Sequence, residues 1–387
     1  MANHTTLQRE FMVNLYPNRG LTLVRGEGVE LISDTGERYL DMATNYGVNI
    51  FGYRHPALER AVVGQWQALP NLHCSFTSDV RAQASRALAT RVGAEPGLVY
   101  WSNSGAEAIE AALKFAAMST GKKHLVACRH AYHGKTLGAL SATWGAKYRA
   151  AFEPLLWEFT HVEFDDLSAL EAAIDERTAA FIVEPVQGES GVILPRPGYL
   201  RSVREACDAR EILLILDEVQ TGTGRTGRFL AAEHEGVHAD IVCLGKGLAG
   251  GVPVGATVVT KEIAARLPRG SHSSTFGGSP LALAGVLAVL EALDDVTLAR
   301  VASLGNDFVE SLRRVEHDLI ADVRGRGLMI GVEVRERRDD ILRALQRRKL
   351  LAIPAGGTVV RFLPPYTIGE EHVERAVETL AAVLRSL

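Results

Sequence analysis

The chain has 387 residues, 47% of them hydrophobic and 23% charged, which is enough apolar material to bury substantial cores without metals or disulfides. A formal net charge of -4, with both signs mixed along the sequence, offers no broad cationic face to nucleic acid or to an anionic membrane. Cys74, Cys128, Cys207 and Cys243 are too widely separated for paired metal ligands or a disulfide framework, and Cys128 and Cys243 sit in apolar runs as small hydrophobes. The polar start, Met1 to Arg9, lacks the basic-then-apolar order of a secretory signal. No uncharged run approaches the roughly 18 residues of a membrane span. The expectation is a cytoplasmic protein without nucleic-acid or membrane partners.

Residues 29–32 and 38–40 alternate in polarity around Asp34-Thr35-Gly36, predicting a small hairpin. Pro56 opens a helical spacing over 55–68 that carries Leu58, Ala61, Val62 and Trp66. The apolar runs 98–100, 125–128, 181–183, 212–216 and 241–244 then read as strands. Helical patterns at 107–118, 167–174 and 199–209 lie between several of them. That alternation predicts an α/β domain with a largely parallel sheet covered on both faces. Residues 255–259 add another strand, 281–293 form an apolar helix, and 328–334 and 358–363 are strands of an α+β tail beginning near residue 280. The charged runs 335–340 and 347–349 read as solvated surface.

Three segments carry chemistry. Asp217 closes the run 212–216 and opens a turn, which in a parallel sheet places its carboxylate at the carboxyl end, where ligand crevices form. Buried there, it requires a cationic or hydrogen-bonding partner; a turn carboxylate held by backbone N–H groups is the structural alternative. Lys246 leaves the run 241–244 between Gly245 and Gly247. An enclosed lysine loses its preference for the ammonium form and becomes a nucleophile, whereas a lysine snorkelling beside a glycine turn would not. Ser104 and Glu107 have capping-box spacing before a helix, and the same first turn can hold a phosphate, with Gly105 permitting close approach. Phosphate-loop spacing of the nucleotide-triphosphatase type is absent.

Together with 132–136, 184–191, 216–227, 245–248, 274–278 and 360–365, these segments resemble the class III, or ornithine-type, aminotransferases among the fold-type-I pyridoxal-phosphate enzymes. The resemblance spans nearly the whole chain and is greatest to acetylornithine aminotransferases and to relatives acting on lysine attached to a small carrier protein. It implies an N-terminal segment (1–55) that contributes to the small domain, a large cofactor-binding domain (56–280) and a C-terminal small domain (281–387). By resemblance, Lys246 forms the Schiff base with pyridoxal 5'-phosphate and Asp217 pairs with the protonated pyridine nitrogen. Ser104, Gly105 and Ala106 serve the phosphate, Tyr132 stacks on the ring with Val219 on its other side, and Gln220 lies near the phenolic oxygen. Thr275 reaches the phosphate of a neighbouring subunit, implying a homodimer with shared active sites.

On the substrate side, the resemblance assigns Arg361 to the carboxylate of the amino-group partner, its planar fork suiting two parallel hydrogen bonds. Glu189 neutralises that arginine when a side-chain amine occupies the pocket. Lys135 and Ser274 hold the remote part of the donor. The implied reaction moves a terminal amino group from an N-acylated ornithine or lysine-type donor, free or on a small amino-group carrier protein, to 2-oxoglutarate. An aminotransferase for another omega-amino acid or amine, an aminomutase and a decarboxylase are the competing readings on this scaffold, and a catalytically silent binding protein is a fourth. Two departures bear on the donor: acetylornithine enzymes usually carry arginine where this chain has Lys135, and His73-Cys74-Ser75-Phe76 differs from their pattern at the substrate entrance.

Overall fold

The computed structural model describes residues 4–93 and 95–387. The expected hairpin forms from β2 (Glu30–Ser33) and β3 (Arg38–Asp41). The sequence reading missed β1 (Leu23–Glu27), which pairs antiparallel with β2. Its side chains are mostly exposed, so it carries no apolar alternation to betray it.

The central sheet contains β4 (Leu98–Ser102), β5 (His124–Cys128), β6 (Phe159–Val162), β7 (Thr178–Val183), β8 (Leu213–Asp217), β9 (Ile241–Leu244) and β10 (Gly255–Val259), in the order β4-β10-β9-β8-β7-β5-β6. The strands from β9 to β6 run parallel, as anticipated. β10 is inserted antiparallel between β4 and β9. The edge strand β6 escaped the sequence reading because its short, partly exposed run has only Val162 buried. Three further strands follow: β11 (Ile320–Arg326) pairs with β12 (Met329–Val334), while the two-residue β13 (Leu350–Leu351) lies parallel to β3. Finally, β14 (Ile353–Ala355) and β15 (Val359–Phe362) extend the β11–β12 sheet.

The period-two geometry of the central strands decides which way the site residues turn. Leu125, Ala127, Ala180, Ile182, Ile215 and Cys243 pack with the helix Gly105–Thr120 on one face. Val126, Cys128, Phe181, Val183, Leu214 and Leu216 pack on the other with the helix Tyr199–Ala209. Asp217 shares parity with Ile215. It therefore turns toward the helix Gly105–Thr120 at the carboxyl end of β8, where that helix begins.

The C-terminal part is pressed onto the loop after β8 by backbone contact. In the helix Asp295–Arg313, a Cβ on Gly305 would stand 2.1 Å from the Gly327 carbonyl oxygen, and one on Gly327 would stand 2.6 Å from that of Arg225. The Leu328 N–H donates to the Arg225 carbonyl at 3.0 Å, and the Arg225 guanidinium donates to the carbonyls of Leu328 (3.0 Å) and Pro364 (2.6 Å). Gly305→Ala gains about 1 kcal/mol of helix propensity but forces an overlap with backbone that costs about 1–3 kcal/mol. The expected outcome is a lower thermal midpoint by calorimetry; a midpoint above wild type would show that this three-layer contact yields freely.

Candidate active site

Of the residues expected to serve the site, Gly105, Ala106, Tyr132, Lys135, Glu189, Asp217, Val219, Gln220 and Lys246 line one cavity of about 460 Å³. They come from the segments that follow the carboxyl ends of β5, β7, β8 and β9 and from the start of the helix Gly105–Thr120. Gly105 and Gly245 make this convergence possible. A Cβ on Gly105 would meet Val219 at 2.5 Å, and one on Gly245 would meet the Gly105 backbone at 3.1 Å.

Ser104 is the N-cap, its Oγ accepting from the Glu107 N–H at 3.2 Å, and it stands behind the cavity wall. The Glu107 carboxylate closes the capping arrangement one residue earlier than expected, accepting from the backbone N–H (2.6 Å) and side-chain amide (2.8 Å) of Asn103. The Gly105 and Ala106 N–H groups are left at the positive end of the helix, where an anion binds most favourably.

The partner that a buried Asp217 requires is His133, a residue the sequence reading did not single out. The His133 ring donates from Nδ1 to Asp217 Oδ2 at 2.7 Å, and Oδ1 accepts from the Val219 N–H at 3.0 Å. Both side chains are essentially buried. The only prior signal for His133 was its place directly after Tyr132. Glu184, also unforeseen as an individual site residue, accepts from the N–H groups of Tyr132 (2.9 Å) and Gly188 (3.1 Å). Burial, reinforced by the nearby Asp217 charge, pushes its carboxyl up to about 7.

Lys246 begins a short 3-10 turn with φ of 46°, a left-handed conformation rare outside glycine, so the turn is held by its surroundings. Burial lowers its ammonium below the ordinary lysine range, and Glu189 partly opposes this. Glu189 is itself pushed up by burial, but the charges of Arg361 and Lys246 outweigh that effect and hold its carboxyl below the usual range.

Arg361, on β15, is fully buried behind Glu189 and Gln220. Its guanidinium donates to Glu189 Oε1 at 2.7 Å, Gln220 Oε1 at 2.9 Å and the Gly188 carbonyl at 2.9 Å. The Gln220 amide therefore turns its oxygen to Arg361, leaving its nitrogen buried and without a partner among the described residues. The Tyr46 ring, which the sequence reading also missed, lies 5.7 Å from the Arg361 guanidinium carbon. Tyr46 belongs to three consecutive non-glycine residues with φ from 43° to 60°, tied down by Asp41 and by Thr44 Oγ1 donating to the Leu363 carbonyl at 2.6 Å.

Ser274 and Thr275 stand outside this cavity. The Ser274 Oγ accepts from the Gly277 N–H (2.9 Å) and the Asn103 side-chain amide (3.2 Å), while Thr275 and its neighbour Phe276 are exposed. The remaining features fit pyridoxal phosphate: an anion cradle at Gly105 and Ala106, a carboxylate at Asp217 for a ring-nitrogen proton, an orphaned Gln220 amide, and an enclosed amine.

Residues 13–384 match the family described as aminotransferase class III. The acetylornithine aminotransferase of Methanopyrus kandleri is 45% identical over 97% of both chains. The [LysW]-aminoadipate semialdehyde/glutamate semialdehyde transaminase of Sulfurisphaera tokodaii is 40% identical over 94% of this chain and 95% of that one. Among solved structures, the ornithine aminotransferase of Toxoplasma gondii superposes with a TM-score of 0.95 at 34% identity, covering 99% of this chain and 94% of that one. The chain belongs to the class III aminotransferases, and with them to the pyridoxal-phosphate-dependent transferases of fold type I.

Proposed function

We propose that the protein transfers the terminal amino group of an N-acylated ornithine or lysine-type donor to 2-oxoglutarate, giving a semialdehyde and glutamate. The observation that carries this reading is the Glu189–Arg361 pair beside Lys246. A buried guanidinium already closed by a carboxylate suits a pocket that must take a neutral chain in one half-reaction and a carboxylate in the other. The names of the relatives support the donor class.

Pyridoxal phosphate, when bound, supplies the electron sink that makes the hydrogen on the amine-bearing carbon acidic. The remaining work falls to the chain. Lys246 would hold the cofactor through Nζ and, as a free amine, would take that proton at the same atom; burial favours the neutral amine this needs. Asp217, fixed by His133 and the Val219 N–H, holds the proton at the ring nitrogen. Gly105 and Ala106 would bind the phosphate through their N–H groups, Tyr132 and Val219 would confine the ring, and the Gln220 amide would serve the phenolic oxygen. Lys135 receives the carboxylate of the donor. In the second half-reaction Glu189 releases Arg361, whose fork takes the 2-oxoglutarate carboxylate.

Part of the site comes from a second copy of the chain: Thr275 of the partner subunit completes the phosphate cradle, which accounts for its exposure within one chain, and Ser274 of the partner subunit adds a hydrogen bond to the donor. A donor carried on a small amino-group carrier protein is a second form of the same reading. It is favoured by an outer cavity of about 800 Å³ that meets the inner one at Tyr132 and Glu189.

A panel of acylated and free amine donors with 2-oxoglutarate should give one glutamate per semialdehyde. Carbon dioxide release, or an isomerised amine without glutamate, would instead establish a decarboxylase or an aminomutase. Borohydride reduction should fix the cofactor to Lys246 in a peptide map, and Lys246→Ala should abolish both labelling and turnover. Mixed with Thr275→Ala chains, Lys246→Ala chains should regain activity, because one site of each mixed dimer is then intact; no recovery would rule out shared sites. Glu189→Gln removes the charge that closes Arg361, so kcat/KM for the acylated donor should fall about tenfold or more. The glutamate half-reaction should be maintained or improved. Equal losses in both would reduce Glu189 to a structural role.

A further inference from the structure

The shared site assigns Thr275 to the partner subunit's phosphate but leaves open what holds the segment that carries it. Thr275 and Phe276 are exposed, whereas the next two residues, Gly277 and Gly278, are buried. The glycine pair is pressed against β4: a Cβ on Gly277 would overlap the Trp101 carbonyl oxygen, and Gly278 has a left-handed φ of 72°. Each glycine carbonyl accepts a hydrogen bond from a distant part of the chain. Cys74 Sγ donates to that of Gly277 at 3.1 Å, and Arg81 Nε to that of Gly278 at 2.9 Å.

Arg81 occupies a poor position for a cation. It lies in the first turn of the helix Asp79–Arg91, at the positive end of the helix, and among the described residues no carboxylate lies within ion-pair distance of it. Its guanidinium is spent on backbone carbonyls instead. Besides Gly278 it serves Phe76, from Nη1 at 2.8 Å, and Leu72, from Nη2 at 2.5 Å. Those two residues bracket His73, Cys74 and Ser75, the exposed segment that the resemblance puts at the substrate entrance. A planar fork with donors on three sides can meet three carbonyls at once, which the single ammonium of a lysine cannot. One side chain therefore fastens the entrance segment to the Thr275 segment, 197 residues further along the chain.

Resting on the shared site proposed above, we infer that Arg81 is a positioning residue for the active site of the partner subunit. Through the Gly278 carbonyl it sets the pose from which Thr275 reaches the phosphate bound by the partner, and through the Leu72 and Phe76 carbonyls it fixes the donor entrance to the same pose. Cofactor retention and donor access are then governed by one guanidinium, while Lys246 and Asp217 are left as they are.

The test uses mixed dimers, purified through a different tag on each chain, in which one chain carries Lys246→Ala so that a single site turns over. Arg81→Gln is placed either in the chain that lacks Lys246 or in the chain that keeps it. In the first arrangement the working site takes its Thr275 segment from the altered chain. Cofactor should then dissociate about tenfold faster, as for the loss of one hydrogen bond to a charged group. KM for an N-acylated ornithine should rise, with kcat at saturating cofactor and donor within about twofold of the control. In the second arrangement all three values should match those of a control dimer with Arg81 in both chains. A general loss of stability would lower the thermal midpoint alike in both arrangements and could not produce this asymmetry. Arg81→Lys, which keeps the charge but not the fork, carries the same comparison if Arg81→Gln chains do not assemble. Equal effects in the two arrangements, an effect confined to the second, or none in either overturns the inference. Thr275→Ala placed in the same two ways separates it from the reading on which it rests. If Thr275→Ala acts only in the first arrangement and Arg81→Gln does not, the inference alone falls; if Thr275→Ala shows no asymmetry, the shared site falls with it.

Discussion

A carboxylate held below the surface at the end of a parallel strand sets the terms for everything around it. Asp217 is placed by β8, and its direction follows from the alternation that sends Ile215 toward the helix Gly105–Thr120. Left alone there, its charge would be costly. The His133 Nδ1–H and the Val219 N–H offset that cost by occupying one oxygen each. A second acid, Glu184, lies close enough to feel the Asp217 charge, and its carboxyl is pushed up to about 7, first by burial and then by that charge. Glu184 is occupied by the N–H groups of Tyr132 and Gly188, which leaves Asp217, at the end of β8, as the carboxylate that faces the cavity with His133 behind it.

The amine opposite is governed by the same low-polarity environment. Burial lowers the Lys246 ammonium, while the turn that carries it adopts a left-handed φ that costs about 1–3 kcal/mol for a residue with a side chain. Beside it the chain passes so close to Gly105 that a Cβ on Gly245 would stand 3.1 Å from the Gly105 backbone. The phosphate cradle and the lysine turn are therefore one packed unit. The three left-handed residues before Gly47 make the same kind of investment on the other side, presenting Tyr46 to Arg361.

Much of this was legible in the sequence. Asp217 and Lys246 each follow a fully apolar run, and a buried parallel strand leaves little else for its terminal polar residue to do than face the crevice. The central helices were visible from their spacing, and the hairpin from its turn residues. What was not legible depends on pairing across long separations. β6 is partly exposed and β1 mostly so, giving them no pattern to read, and the antiparallel entry of β10 is a choice of topology rather than composition. His133 and Glu184 belong to the same class: each earns its role from a partner 84 or 52 residues away. The need for a partner to Asp217 could be stated from its burial alone, but not which residue would meet it.

Buried ion pairs are poor contributors to stability, because the cost of removing both charges from water often exceeds their attraction, so an apolar pair of similar size would serve a static core as well or better. Glu189 and Arg361 are nonetheless paired inside the protein, with Gln220 and the Gly188 carbonyl sharing the guanidinium. The arrangement makes sense if the pair has to open. A guanidinium held by one carboxylate of its own chain can exchange it for a carboxylate of the substrate with little net change in charge or in hydrogen bonding, and it can return to the closed state when a neutral chain occupies the same space. On the function proposed above, the pair is retained for the alternation between two unlike substrates rather than for stability.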